Sequence, residues 1–149
     1  MHLNPWAAAV LSLSFLSCRH SHDEHSLGNA AQIARTVERL RLASNDEKRA
    51  WLNQLQRLPC QTDDVCQMKT LCTRAYEAHL AGIESIQHAS SLVGATDAGG
   101  SWETADASAE VFLRAASQAQ SGQRQLKLAR QQTRACAENE AVIRQRYRL

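Results

Sequence analysis

Residues 63–86 read DDVCQMKTLCTRAYEAHLAGIESI. Apolar or small side chains recur at steps of three and four through Val65, Met68, Cys72, Ala75, His79, Ile83 and Ile86. That spacing gathers residues on one face of an α-helix, whereas a strand would place alternate residues on one face. Thr62 is placed to cap this helix, and Asp63 and Asp64 set negative charge at the positive end of its dipole. The period fades near Val93, where GATDAGGSWET (94–104) supplies glycines and turn chemistry.

Downstream, a longer period spans about Thr104 to Arg146. Its seam is Phe112, Ala115, Ala119, Gly122, Leu126, Ala129, Thr133, Cys136, Glu140, Ile143 and Tyr147. Two heptad-like seams joined by a short connection predict a pair of long antiparallel helices. The small residues at 115, 119, 122 and 129 let the two backbones approach closely, although Gly122 costs about 1 kcal/mol relative to Ala in a helix interior.

Upstream, Ile33, Val37 and Leu40 share a face of a first helix over about 29–43. Ser44-Asn45-Asp46-Glu47 is a capping box that starts a second helix through Trp51, Leu52, Leu55 and Leu58. The spacing also runs on through Ser44, Glu47 and Trp51, so one kinked helix over 29–58 is the alternative; Pro59 ends either. With only two prolines and few β-branched residues in 149, the expected fold class is all-α. The expected architecture is an antiparallel helical hairpin or bundle of three to four helices, stapled by disulfides, in a single domain over 29–149. A formal charge of +2 implies no strong electrostatic partner for the chain as a whole.

The N-terminal segment has a different character. Residues 7–16 (AAAVLSLSFL) form an apolar run too short to cross a bilayer as a helix but suited to the apolar region of a secretory signal. Followed by Ser17 and Cys18, the run resembles bacterial lipoprotein signal peptides, which end in a lipobox. The resemblance implies cleavage before Cys18, so that 1–17 is a signal peptide. It also implies acylation of Cys18 and attachment to the membrane through that lipid. In that family the residue after the cysteine influences sorting, and Arg19 points to the outer membrane, facing the periplasm, over the inner membrane. Residues 18–28 read as a polar, His-rich tether.

Cysteine parity agrees with this reading. Of five cysteines, acylation of Cys18 leaves four, an even set for two disulfides in an oxidising compartment. Six residues along a helix is a rise of about 9 Å with a rotation of about 240°, so Cys66 and Cys72 point apart and exceed disulfide reach. Cys60 lies just before the third helix, near Cys66, while Cys72 and Cys136 both fall on the long seam. The expected bridges are Cys60–Cys66 and Cys72–Cys136. The rival is Cys60–Cys72 with Cys66–Cys136, and counting outward from the connection favours Cys66 opposite Cys136. Zinc held by the four thiols is disfavoured, because the spacing has no C-x₂₋₄-C pair.

His20, His22 and His25, with Asp23 and Glu24 between them, offer imidazoles suited to zinc, copper or nickel; the alternative is a plain polar tether. His79 on the seam reads as a core or boundary residue, and His88 pairs with Glu84 at i,i+4. Arg124, Lys127, Arg130 and Arg134 recur at three- and four-residue steps, and Arg144, Arg146 and Arg148 close the chain. An exported protein with no aromatics interleaved between Arg124 and Arg134 argues against nucleic acid. The stripe reads as a solvated helix face or as a contact for anionic lipid or polymer.

No G-x-S-x-G, H-E-x-x-H or phosphate-cradling glycine loop occurs. The expectation is a non-enzymatic envelope lipoprotein, a helical module that binds or spaces another envelope component. The alternative is a metal buffer or sensor built on His20, His22 and His25.

Overall fold

The computed structural model describes the backbone of residues 17–97 and 105–149 and the side chains of 24–94 and 109–149. Over these residues the chain is all-α, with helices α1 (Ser17–Leu42), α2 (Asn45–Arg57), α3 (Asp63–Asp97) and α4 (Ala105–Tyr147). None of the described helices is long and apolar enough to cross a membrane.

Residues 29–58 resolve into two helices. Ser44 is extended (φ −61°, ψ 161°), and its backbone N–H donates to Glu47 Oε2 at 3.2 Å while its hydroxyl donates to the same oxygen at 2.9 Å. These bonds satisfy groups the helix start would otherwise leave unpaired. Lys48 donates back to Ala43 O, closing the end of α1. At the far end of α2, Pro59 holds Leu58 extended (φ −63°, ψ 130°). Lys69 from α3 donates to the carbonyls of Gln56 and Leu58, placing a cation at the negative end of α2.

Two helix boundaries differ from expectation. α1 begins at Ser17 and not near Asn29, so the stretch expected as a tether is helical. It holds no proline, its one glycine, Gly28, is accommodated within α1, and Ser26 and Asn29 are buried where α1 meets the turn at Pro59. There Asn29 Nδ2 donates to Pro59 O at 2.8 Å. α3 continues to Asp97, a turn beyond Val93, and takes Gly94 into the helix.

α3 and α4 are the long antiparallel pair. α1 and α2 form a shorter hairpin laid along the N-terminal half of α3 and the C-terminal part of α4. Arg49 of α2 meets Glu84, Gln56 Nε2 donates to Glu77 Oε1 at 2.7 Å, and Arg144 reaches Glu38 of α1 at 2.8 Å. Ile33, Val37 and Leu40 of α1, Leu55 of α2, Val65, Met68 and Cys72 of α3, and Cys136 and Ile143 of α4 are fully buried together. A large apolar side chain buried in this way contributes about 1.5–3 kcal/mol.

Both disulfides join the pairs that helix periodicity favours. Cys60–Cys66, with Cα atoms 5.2 Å apart, pins the turn before α3 to its first turn. Cys72–Cys136, at 4.7 Å, ties the two long helices. With a sequence separation of 64, the second bridge contributes about 4 kcal/mol on the chain-entropy argument.

Above that bridge the helices cross at two glycines. A Cβ added to Gly82 would lie 3.0 Å from the carbonyl oxygen of Gly122, and one added to Gly122 would lie 2.8 Å from that of Gly82. Leu126 packs over Gly82 and Ile86 over Gly122, each within 2.7 Å of where a Cβ would sit. Gly82 is ten residues after Cys72 and Leu126 is ten before Cys136, so bridge and crossing share one register.

Gly122→Ala should therefore destabilise the protein despite the gain of about 1 kcal/mol in helix propensity, since forcing volume into a closed interface costs about 1–3 kcal/mol. Thermal melts followed by circular dichroism check this. A midpoint equal to or above the parent's would mean that the backbones are not in contact.

Candidate functional site

Two polar clusters lie in the closed, four-helix half. Glu140 is buried on the α4 seam, 3% exposed. Arg41 of α1 pairs with its Oε2, and Arg144 Nε donates to its Oε1 at 2.9 Å. Arg144 also reaches Glu38, so α1 and α4 are joined by an alternating chain of charges. The hydrogen bond from Arg144 to Glu140 raises the guanidinium's pKa, and burial opposes it only in part. Burial pushes the Tyr76 hydroxyl up, with Arg41 pulling the other way. Both oxygens of Glu140 are taken, which suits a clamp and not an exchange of protons with a substrate.

The second cluster joins the start of α3 to the end of α4. Asp64 accepts from Val65 N–H at 2.9 Å, from Arg146 Nη1 at 2.5 Å and from the Tyr147 hydroxyl at 3.3 Å. The Tyr147 hydroxyl also lies 3.0 Å from Thr62 Oγ1, so Thr62 braces α4 through its side chain. Burial alone would raise the Asp64 pKa. Hydrogen bonds from Thr62, Arg146 and Val65, with the Arg146 charge, outweigh burial and hold the carboxyl below its ordinary 3.8.

The other half is different. Beyond the Arg49–Glu84 contact neither α1 nor α2 covers the hairpin, and the seam that is sealed below becomes open. Ile86, Ala89, Val93, Phe112, Ala115 and Ala119 line a groove of about 520 Å³ along one flank. Phe112 is 51% exposed and Leu113 is 72% exposed. The opposite flank holds a more polar groove of about 540 Å³, with His88, Leu92, Glu110 and Arg114 among its walls. Small side chains form the floor and a lone aromatic stands at the rim, the shape that receives an apolar helix face.

The expected site residues fare unequally. Cys18, His20 and His22 lie outside the described side chains. His25 is exposed on α1, and no group of three or more metal-ligating side chains occurs among the described residues. His79 sits at the boundary, 3.3 Å from Asn45 Oδ1, with its pKa lowered by burial and then by Lys48. Phe112 belonged to the expected seam but faces solvent. The Glu140 clamp was signalled only by a carboxylate falling on an apolar seam.

Comparison with protein-family models, curated proteins and solved structures finds no match to this chain.

Asp64 makes its contribution above the carboxyl's ordinary pKa and loses it as pH falls through the lowered folded-state value. Asp64→Asn should thus lower the urea midpoint most near neutrality and converge on the parent in acid. A deficit that stayed constant down to acid pH would show that Asp64 acts through shape and not charge.

Proposed function

We propose that this chain is a non-enzymatic lipoprotein of the bacterial cell envelope, anchored through Cys18, whose braced hairpin presents a binding groove to another envelope protein. The observation that carries the reading is the opposite placement of its two ends. α1 meets the Pro59 turn at the end of the bundle where α3 begins and α4 finishes. The open groove lies toward the other end of α3. At about 1.5 Å per residue, the 35 residues of α3 extend about 50 Å. A lipid on Cys18 therefore sits at the foot of a strut whose unsealed seam faces away from the membrane.

Two further features support it. The bridges at Cys60–Cys66 and Cys72–Cys136 account for four of the five cysteines and leave Cys18 as the remaining thiol. Bridges of this kind persist in exported proteins. The groove, floored by alanines and rimmed by Phe112, suits an amphipathic helix of a partner.

Intact mass of the membrane-extracted protein, without and with reductant, tests the anchor. The expected species starts at Cys18, carries acyl chains and gains four hydrogens on reduction of its two bridges; a full-length chain without acyl groups would overturn the anchor. A photo-crosslinking residue in place of Phe112 tests the groove. It should capture one defined protein in native membranes, while the same residue in place of the exposed Asn53 should not. Equal, diffuse capture from both positions would remove the groove from the reading.

A further inference from the structure

Half of the lysines and arginines whose side chains are described have a fixed partner. Arg41, Arg49, Arg114, Arg144 and Arg146 are in ion pairs. Arg39 lies over the Trp51 ring at 5.0 Å, and Lys48 and Lys69 donate to helix-end carbonyls. Of the others, Arg35, Arg57, Arg74 and Arg148 stand singly at exposed positions, whereas the outer face of α4 gathers its unpaired cations in a row. Arg124, Lys127 and Arg130 are exposed and have no ion-pair partner among the described residues. Arg134, next in line, has only a loose 3.4 Å contact with Glu138, both side chains largely in solvent. Between Glu110 and Glu138 α4 carries no carboxylate at all, so nothing on the helix neutralises the row. Gln123 and Gln131 beside it are also exposed and add neutral hydrogen-bond donors and acceptors.

We propose that this row is a binding surface for a linear polyanion, specifically an acidic polysaccharide lying along α4. The shape of the patch selects a chain over a sheet. Its charges follow the helix axis at intervals of about 5 Å over about 15 Å, within about a third of the helix circumference, and no Trp or Tyr stands among them to seat in a bilayer interface. Position argues the same way, and this step rests on the anchored reading above. Arg134 stands about 20 Å along α4 from Tyr147, at the foot of the strut, and Arg124 about 35 Å. Both distances exceed the Debye length of about 8 Å at physiological ionic strength, so headgroups at the foot would scarcely feel the row. An extended anionic chain running up the strut meets every charge. Such contacts release counterions, so binding should weaken steeply with salt.

The test is retention of the full chain on immobilised heparin, used as a linear acidic polysaccharide probe, with neutral dextran and with vesicles containing phosphatidylglycerol in parallel. The variant Arg124→Gln, Lys127→Gln, Arg130→Gln is compared with Arg35→Gln, Arg57→Gln, Arg74→Gln, which removes the same charge from exposed positions elsewhere. The parent should bind heparin and not dextran. The α4 variant should lose tenfold or more in affinity with a shallower salt dependence, while the scattered variant stays within about twofold. Circular dichroism melts confirm that both variants fold. Equal losses in the two variants would reduce the effect to net charge and overturn the site. Vesicle binding without heparin binding would replace the polysaccharide by lipid. Neither heparin nor vesicle capture requires acylation, so a failure here is separable from failure of the anchor.

Discussion

Everything above the middle of this molecule depends on how closely two helices approach at Gly82 and Gly122. Each glycine faces the carbonyl oxygen of the other across a gap too small for a Cβ. That contact fixes axial register as well as distance, because Leu126 and Ile86 can cover the glycines in only one alignment. With the register set there, Cys72 and Cys136 fall opposite each other, ten residues from Gly82 and from the Leu126 that covers it. The disulfide is thus placed by the crossing and makes it permanent. Glycine's helix penalty of about 1 kcal/mol each is offset by the packing that the absent side chains permit.

Below the crossing, the interface between α3 and α4 is one wall of a core and not the whole of it. α1 and α2 supply the second layer, and the charges of Glu140, Arg41, Arg144 and Glu38 close its edge. A carboxylate buried between two guanidiniums gains little net stability over an apolar substitute. What it adds is alignment: Arg41 comes from α1 and Arg144 from α4, so α1 cannot slide along α4 without stranding Glu140. The Asp64 cluster does the same for the two helix ends at the foot.

Helix periodicity made much of this legible. The seams through Met68 and Cys72 and through Cys136 and Ile143 were readable because a 3–4 spacing states which residues share a face. The same rule chose Cys72–Cys136 over Cys66–Cys136 against a count from the connection, which assumes that the chain turns back symmetrically. Register was not legible because it is set by contacts remote from the turn. Periodicity is equally silent on whether a face is covered, so Phe112 and Ile143 look alike in sequence and differ in exposure only because α1 and α2 stop short. The Glu140 clamp was hidden for another reason, since Arg41 lies 99 residues away and no local pattern joins them. The early start of α1 was missed because a polar segment without proline can be helix as readily as tether.

The uneven covering of the hairpin bears on what each half can do. Local stability follows the density of buried apolar contact, which is high from Val65 to Leu80 and thin from Ile86 outward. Both disulfides lie in the dense half, where the core already restrains the chain, and none braces the described open half. That segment holds its shape through one interface of alanines and a few larger side chains, so it can adjust to a visitor without disturbing the foot. A partner helix laid along Ala89, Ala115 and Ala119 would supply the layer that α1 and α2 supply below. The open groove therefore resembles the closed core with one layer left out, and that likeness is the physical ground for the partner helix proposed above.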